Sequence, residues 1–121
     1  MAKNDRSILD GFLPLRPPVF HMLLSLSQGV RHGYALKLAA EERTQGVVRL
    51  GPGTLYESLQ RMEQRGLIEE TEAPVEAAKE RSDRRYYRIT DLGRLALRAE
   101  LRQMEAALAE ARHAKIIEAP S

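Results

Sequence analysis

Gly51-Pro52-Gly53-Thr54-Leu55-Tyr56-Glu57-Ser58-Leu59-Gln60-Arg61-Met62-Glu63-Gln64-Arg65-Gly66-Leu67-Ile68 reads as a short helix with its start and its stop both written out, running straight into a strand. Pro52 stands at the first helical position, where the missing amide has no intrahelical partner to lose. Gly66 stands where the chain must turn left-handed to leave the helix, and Leu67 can then fold back on Met62. Leu55, Leu59 and Met62 fall on one stripe, leaving Thr54, Glu57, Ser58, Arg61, Gln64 and Arg65 on the opposite face. That face is polar and partly cationic, and its residue types donate to phosphates and base edges. It has the character of a DNA recognition helix.

Upstream, residues 1–16 form a mixed arm anchored by Phe12, Leu13 and Leu15. Pro17-Pro18 opens an apolar stretch whose Leu and Met content favours a helix over a strand, ending at Gly29. A second helix is expected from His32-Gly33-Tyr34 to about Thr44, and Val47-Val48 as a very short strand. Downstream, the segments starting at Leu67 and at Arg85 have strand character, with the charged loop Ala73 to Arg84 between them. Tyr86 and Tyr87 alternate faces on such a strand, so one is expected in the core and one at the surface. Thr90-Asp91 offers an N-cap for a last helix from about Leu92 to Ile117, roughly 39 Å long at 1.5 Å per residue. Leu97, Leu101, Met104, Leu108 and Ala111 alternate four- and three-residue steps along it, the spacing of a coiled-coil seam.

The expected fold is mainly α with a small β-hairpin: a winged helix-turn-helix plus a long C-terminal dimerisation helix. Residues 1–16 are the arm, 17–90 the DNA-binding domain and 91–118 the dimerisation helix. A chain of 121 residues suffices for one core and one appended element. The net charge of +2 is small, so any affinity for nucleic acid must come from cations gathered on one face. With no cysteine, disulfides, thiolate nucleophiles and zinc-finger ligands are all removed. The polar N-terminus is not a signal peptide and no apolar run is long enough for a membrane span, so a cytoplasmic protein with no membrane partner is expected. Six aromatics are too few for a base-stacking platform.

The ordered motifs His32-Gly33-Tyr34, Pro52-Gly53-Thr54-Leu55-Tyr56 with Leu59, Gly66-Leu67-Ile68, and Tyr86-Tyr87-Arg88-Ile89-Thr90 with Gly93 resemble those of the PadR-like transcriptional regulators, over about Pro18 to Arg94. The resemblance implies a homodimeric winged-helix repressor on a near-palindromic operator, with the last helix carrying the dimer contact. It also implies that Tyr56 and the polar residues around it lie against DNA while the wing approaches the flanking backbone. The chain departs from the pattern at Gly51, where a serine or threonine cap is common, at Val30, where proline is frequent, and at a wing tip without glycine or proline. A single C-terminal helix resembles the short-tailed subgroup.

Thr54 and the amides of Gly53 and Thr54 lie at a helix N-terminus, a natural phosphate seat. Ser58, Arg61 and Gln64 are the candidates for base edges. Arg65 either joins them or reaches the helix's last carbonyls, and Tyr56 either donates to a phosphate or packs beside Leu55 and Leu59. Tyr34, in the first motif, completes the set on the helices. At the wing, Lys79, Arg81, Arg84, Arg85 and Arg88 place five cations within ten residues; the first four are the expected backbone contacts. The expected dimer contacts are Leu97, Leu101, Met104, Leu108 and Ala111.

Gly51-Pro52-Gly53-Thr54 lacks the lysine and the preceding strand of a nucleotide-phosphate loop. His21, His32 and His113 fall in three separate elements without ligand-spaced partners, so no metal site is expected, with His32 in a turn or cap and His113 on the surface. No serine or threonine has a base and an orienter, so no catalytic residue, enzyme activity or cofactor is expected. The expected partners are double-stranded DNA, a second copy of the chain and possibly an unidentified small-molecule effector. The rival reading is a winged-helix protein-interaction module, favoured by Glu57, Glu63 and the near-neutral charge.

Overall fold

Helix α1 (Pro17–Leu26) carries prolines in its first turn and sinks Met22, Leu23 and Leu26 completely. The structure, a computed structural model, describes residues 9–77 and 83–120. Strand β1 (Arg31–His32) leads into α2 (Gly33–Arg43), which His32 caps by accepting the Ala35 N–H on Nδ1 at 3.1 Å. Helix α3 (Pro52–Gln64) starts at Gly51 without a side-chain cap. Strands β2 (Ile68–Thr71) and β3 (Tyr86–Ile89) follow, with a 3-10 turn at Val75–Ala77 between them. Helix α4 (Asp91–His113) closes the described structure. The three strands form an antiparallel sheet in the order β1-β3-β2.

The exit from α3 is as the sequence reads. Gly66 takes a φ of +79°, its N–H donates to the Glu63 carbonyl, and the Leu67 N–H donates to the Met62 carbonyl, both at 3.0 Å. This pair of bonds satisfies carbonyls that the helix end would otherwise leave unpaired. Thr90 then ties the start of α4 to the same corner. Its hydroxyl donates to the Gly66 carbonyl at 2.5 Å and accepts from the Gly93 N–H at 3.0 Å. At Gly93 a Cβ would lie 2.2 Å from the Leu67 carbonyl oxygen, so only glycine lets α4 press this closely on the chain entering β2.

Four expectations change. The hairpin has a third strand: Arg31 pairs with Tyr87 and His32 with Tyr86, making β3 the central strand. For that reason Tyr86 and Tyr87 are both buried, the His32 ring standing edge-on to Tyr86 at 5.5 Å. Val47-Val48 is not a strand, because the Val48 N–H donates to the Thr44 hydroxyl, which itself donates to the Ala40 carbonyl. Helix α4 stops at His113 rather than Ile117. Lys115 adopts a φ of +63°, and the Lys115 and Ile116 N–H groups take the Arg112 and Ala111 carbonyls. The same stop motif as in α3 is made here without the glycine that announces it.

The core joins Met22, Leu23 and Leu26 of α1, Leu36 of α2, Leu55, Leu59 and Met62 of α3, Ile68 and Ile89 of the sheet, and Ala96 and Leu97 of α4. The arm belongs to it. Leu9 is buried, Phe12, Leu13 and Leu15 pack on its edge, and the Leu15 N–H donates at 2.5 Å to the carboxylate of Glu100, itself buried. Arg43 fastens α2 to α1 by donating to the His21 carbonyl at 3.2 Å and to the Ser25 hydroxyl at 3.0 Å.

Candidate nucleic-acid interface

Because Leu55, Leu59 and Met62 are all buried, the rest of α3 divides into an outward face and two flanks. Gly53, Glu57, Gln60 and Gln64 are the exposed residues that point farthest from the core. Gln60 is absent from the sequence-derived set, yet it shares a stripe with Glu57 and Gln64, the helical spacing that would have found it. An amide side chain there can donate and accept in a base-specific pairing, as Gln64 can. Arg61 lies toward one edge of this face, 3.7 Å from Glu57 one turn earlier. An exposed pair of this kind is worth little and leaves the guanidinium available.

One flank bears Tyr56. It borders the same depression as Tyr34 of α2, and the two residues are 56% and 51% exposed. Gly33 lets α2 pass close to α3, since a Cβ there would lie 3.0 Å from the Leu59 side chain. Lys37 stands 5.9 Å from the Tyr34 ring centroid and pairs with Glu41 at 2.7 Å. Between the two tyrosines and the start of β3 is a depression of about 650 Å³, bordered also by His32, Asp83, Arg84 and Arg85. Arg84 lies 2.9 Å from His32 Nε2, so the histidine that caps α2 also stands at the base of the wing. Arg85 is exposed. It lies near the buried Tyr87 hydroxyl, whose pKa is raised by burial first and by Glu63 and Glu70 next, with Arg85 opposing.

The other flank bears Thr54, Ser58, Arg61 and Arg65, and it faces the arm across a cleft of about 320 Å³. The structure therefore brings Gly53, Thr54, Tyr56, Ser58, Arg61, Gln64 and Arg65 onto one helix, with Tyr34, Arg84 and Arg85 alongside Tyr56. Lys79 and Arg81 lie outside the described residues. Arg88 is turned away from this set and paired with Glu69 on the neighbouring strand.

The seam of α4 divides in two. Leu97 is 5% exposed and sits within the chain's own core, and Leu101 is half-buried against its edge. Met104 and Leu108 are 40% and 42% exposed on a stretch, 102–110, whose residues are all exposed; Ala111 is half-buried near the helix end. Among the described residues, no helix is long and apolar enough to cross a membrane, and no three or more His, Asp or Glu side chains are grouped to hold a metal.

The model of the Transcriptional regulator PadR-like family matches residues 22–99, which include α1 from Met22, the whole α3 and sheet region, and the first part of α4. No curated protein sequence matches the chain. Among solved structures, a PadR-like transcriptional regulator from Bacillus cereus is 26% identical with a TM-score of 0.65, covering 93% of this chain and 99% of its own. A transcriptional regulator from Clostridium thermocellum is 21% identical with a TM-score of 0.61, covering 98% of this chain and 99% of its own. Bacillus subtilis PadR in complex with operator DNA is 20% identical with a TM-score of 0.59; 73% of this chain aligns with 47% of that one.

Proposed function

The chain belongs to the PadR-like family of transcriptional regulators, and from that premise we propose that it is a homodimeric repressor that reads a near-palindromic operator with α3. The observation that carries this reading is the outward surface of α3. It holds Gln60, Arg61 and Gln64 clear of the core, with the N-terminal amides of the helix at one end and Tyr34, Tyr56, Arg84 and Arg85 beside it. Such a surface can enter a major groove while the tyrosine hydroxyls and guanidiniums engage the backbone. That Bacillus subtilis PadR is seen with operator DNA supports carrying this mode of binding over to a chain of the same fold.

Dimerisation rests on the outer half of α4. Met104 and Leu108 present apolar side chains that are 40% and 42% exposed, and they continue the spacing of Leu97 and Leu101. A second copy laid along this stripe would bury it and set two α3 helices about 34 Å apart, one turn of duplex. Electrophoretic shift of duplexes from the DNA flanking the coding sequence tests the reading, alongside sedimentation equilibrium. The expected result is a dimer that retains one duplex preferentially, with binding that falls steeply as salt rises. Failure to shift any duplex at low salt would remove it. A protein-interaction module, favoured by the outward Glu57, would instead bind its partner with little dependence on salt.

A further inference from the structure

The ridge of α3 lies between two flanks. On one side Tyr56 borders the depression at the wing, and on the other Thr54, Ser58 and Arg65 face the arm across the cleft. Gly53, Glu57, Gln60 and Gln64 make the ridge itself, and all of them are exposed. Gly53 brings no side chain, and Glu57 has the Arg61 guanidinium 3.7 Å away as its partner. Among the described residues, neither the Gln60 nor the Gln64 amide is hydrogen-bonded to another group of the chain.

The two open polar groups at the front of the helix are therefore uncharged. A ridge that had only to hold phosphates would carry Lys or Arg there, because an amide neutralises no phosphate and releases no counterion. What an amide offers is an acceptor oxygen and an NH2 donor side by side. In the major groove adenine presents the complement, the N7 acceptor next to the N6 amino donor. Guanine shows two acceptors, cytosine one donor, and thymine one acceptor beside a methyl group. Adenine alone satisfies both ends of the amide. The two glutamines are four residues apart, about 6 Å along the helix axis. Base pairs follow one another at about 3.4 Å, so amides laid along a groove meet pairs about two steps apart.

We infer that Gln60 and Gln64 set the base preference of this chain, each pairing through both ends of its amide with one adenine. The half-site then holds a pair of A·T positions about two steps apart. This deepens the DNA-binding reading above and rests on it. Cations beside the ridge supply affinity, and the glutamines supply discrimination.

Selection of bound duplexes from a random pool, by the full chain and by Gln60→Ala and Gln64→Ala, tests the inference. Both positions are exposed on a helix and alanine is a strong helix former, so the variants keep the fold. The unmutated chain should select the two A·T positions, and each variant should lose its preference at one of them. Gln60→Arg should move the preference at its position from adenine to guanine, which matches two guanidinium donors. On the selected duplex, 7-deazaadenine at the Gln60 position removes the N7 acceptor. It should weaken the unmutated chain about fivefold and Gln60→Ala not at all. Gln60→Ala should also keep the salt dependence of the unmutated chain, since no charge is lost. A selected motif that lacks these A·T positions, or that both alanine variants reproduce unchanged, would overturn the assignment and leave DNA binding standing. If the unmutated chain enriches no duplex at all, the assignment and the DNA-binding reading fall together.

Discussion

Helices α3 and α4 share a corner and differ in how their stripes are covered. α3 ends and α4 begins where Thr90 bonds Gly66, and both carry an apolar stripe at three- and four-residue spacing. In α3 the protomer covers the whole stripe, and what remains outside is polar. In α4 the cover runs out after Glu100: Gly93, Ala96, Leu97 and Glu100 are buried, while Met104 and Leu108 stand in solvent. Periodicity thus reports an apolar stripe, but not whether its cover lies in the same chain. The helix outruns the core beneath it, since its 23 residues run about 35 Å and only the first part is buried.

The contrast can be broken most severely at Gly93. Gly93→Ala forces a methyl group against the Leu67 carbonyl and should cost about 3 kcal/mol or prevent folding, measured by urea denaturation. Gly53→Ala, on the open face of α3, meets nothing within 4 Å and should leave stability unchanged or slightly raised by the same measurement.

Truncation within the two stripes comes next. Leu55→Ala should lower unfolding free energy by about 3 kcal/mol, because it opens a cavity in a filled core. Leu108→Glu should leave the helical circular dichroism intact at 25 °C while weakening self-association more than tenfold by sedimentation, since it places a charge where a second copy would pack. If both variants unfold the protein equally, the stripes of α3 and α4 do not differ in the way described.

On the polar side of α3, Arg61→Ala should weaken duplex binding about tenfold and flatten its salt dependence by about one unit of log–log slope. Glu57→Gln should act in the opposite sense, removing a carboxylate from the face proposed to meet DNA. A titration with salt checks both variants together.

The smallest effect is confined to the packed body. His21 has its pKa lowered below 6.5, by burial first and by the Arg43 guanidinium second. The unfolded chain therefore binds the extra proton more readily, so the contribution is present above pH 6.5 and is lost as pH falls below it. Thermal melts from pH 7.5 to 5 should decline, and His21→Gln should decline less over the same range.

What was legible in the sequence was punctuation. Pro17-Pro18, Pro52, Gly66 and Thr90 each perform the start or stop that their chemistry announces, and they place the starts of α1, α3 and α4 and the end of α3 within a residue or two. What was not legible depends on neighbours far along the chain. Arg31-His32 is a strand only because β3 lies beside it, and two residues have no alternation to read. The burial of Tyr86 follows from that pairing. Glu100 looks like one more charge flanking the seam, and nothing local reveals that it accepts the Leu15 N–H. Gln60 was within reach of the helical spacing, but the arm-facing side of α3 was not: a wheel of α3 separates core from solvent and does not say which solvent-facing flank another segment will approach. The wing cations divide similarly, Arg84 lying beside His32 and Arg88 paired with Glu69, neighbours that no charge count identifies.

The bond from Leu15 to Glu100 joins positions 85 residues apart. During synthesis the acceptor leaves the ribosome 85 residues after the donor. Until then the arm can collapse on α1 and α3 through its leucines, yet it has no fastening at Leu15. A nascent chain therefore completes α3 before it fastens the arm beside it, and the two surfaces mature in that order.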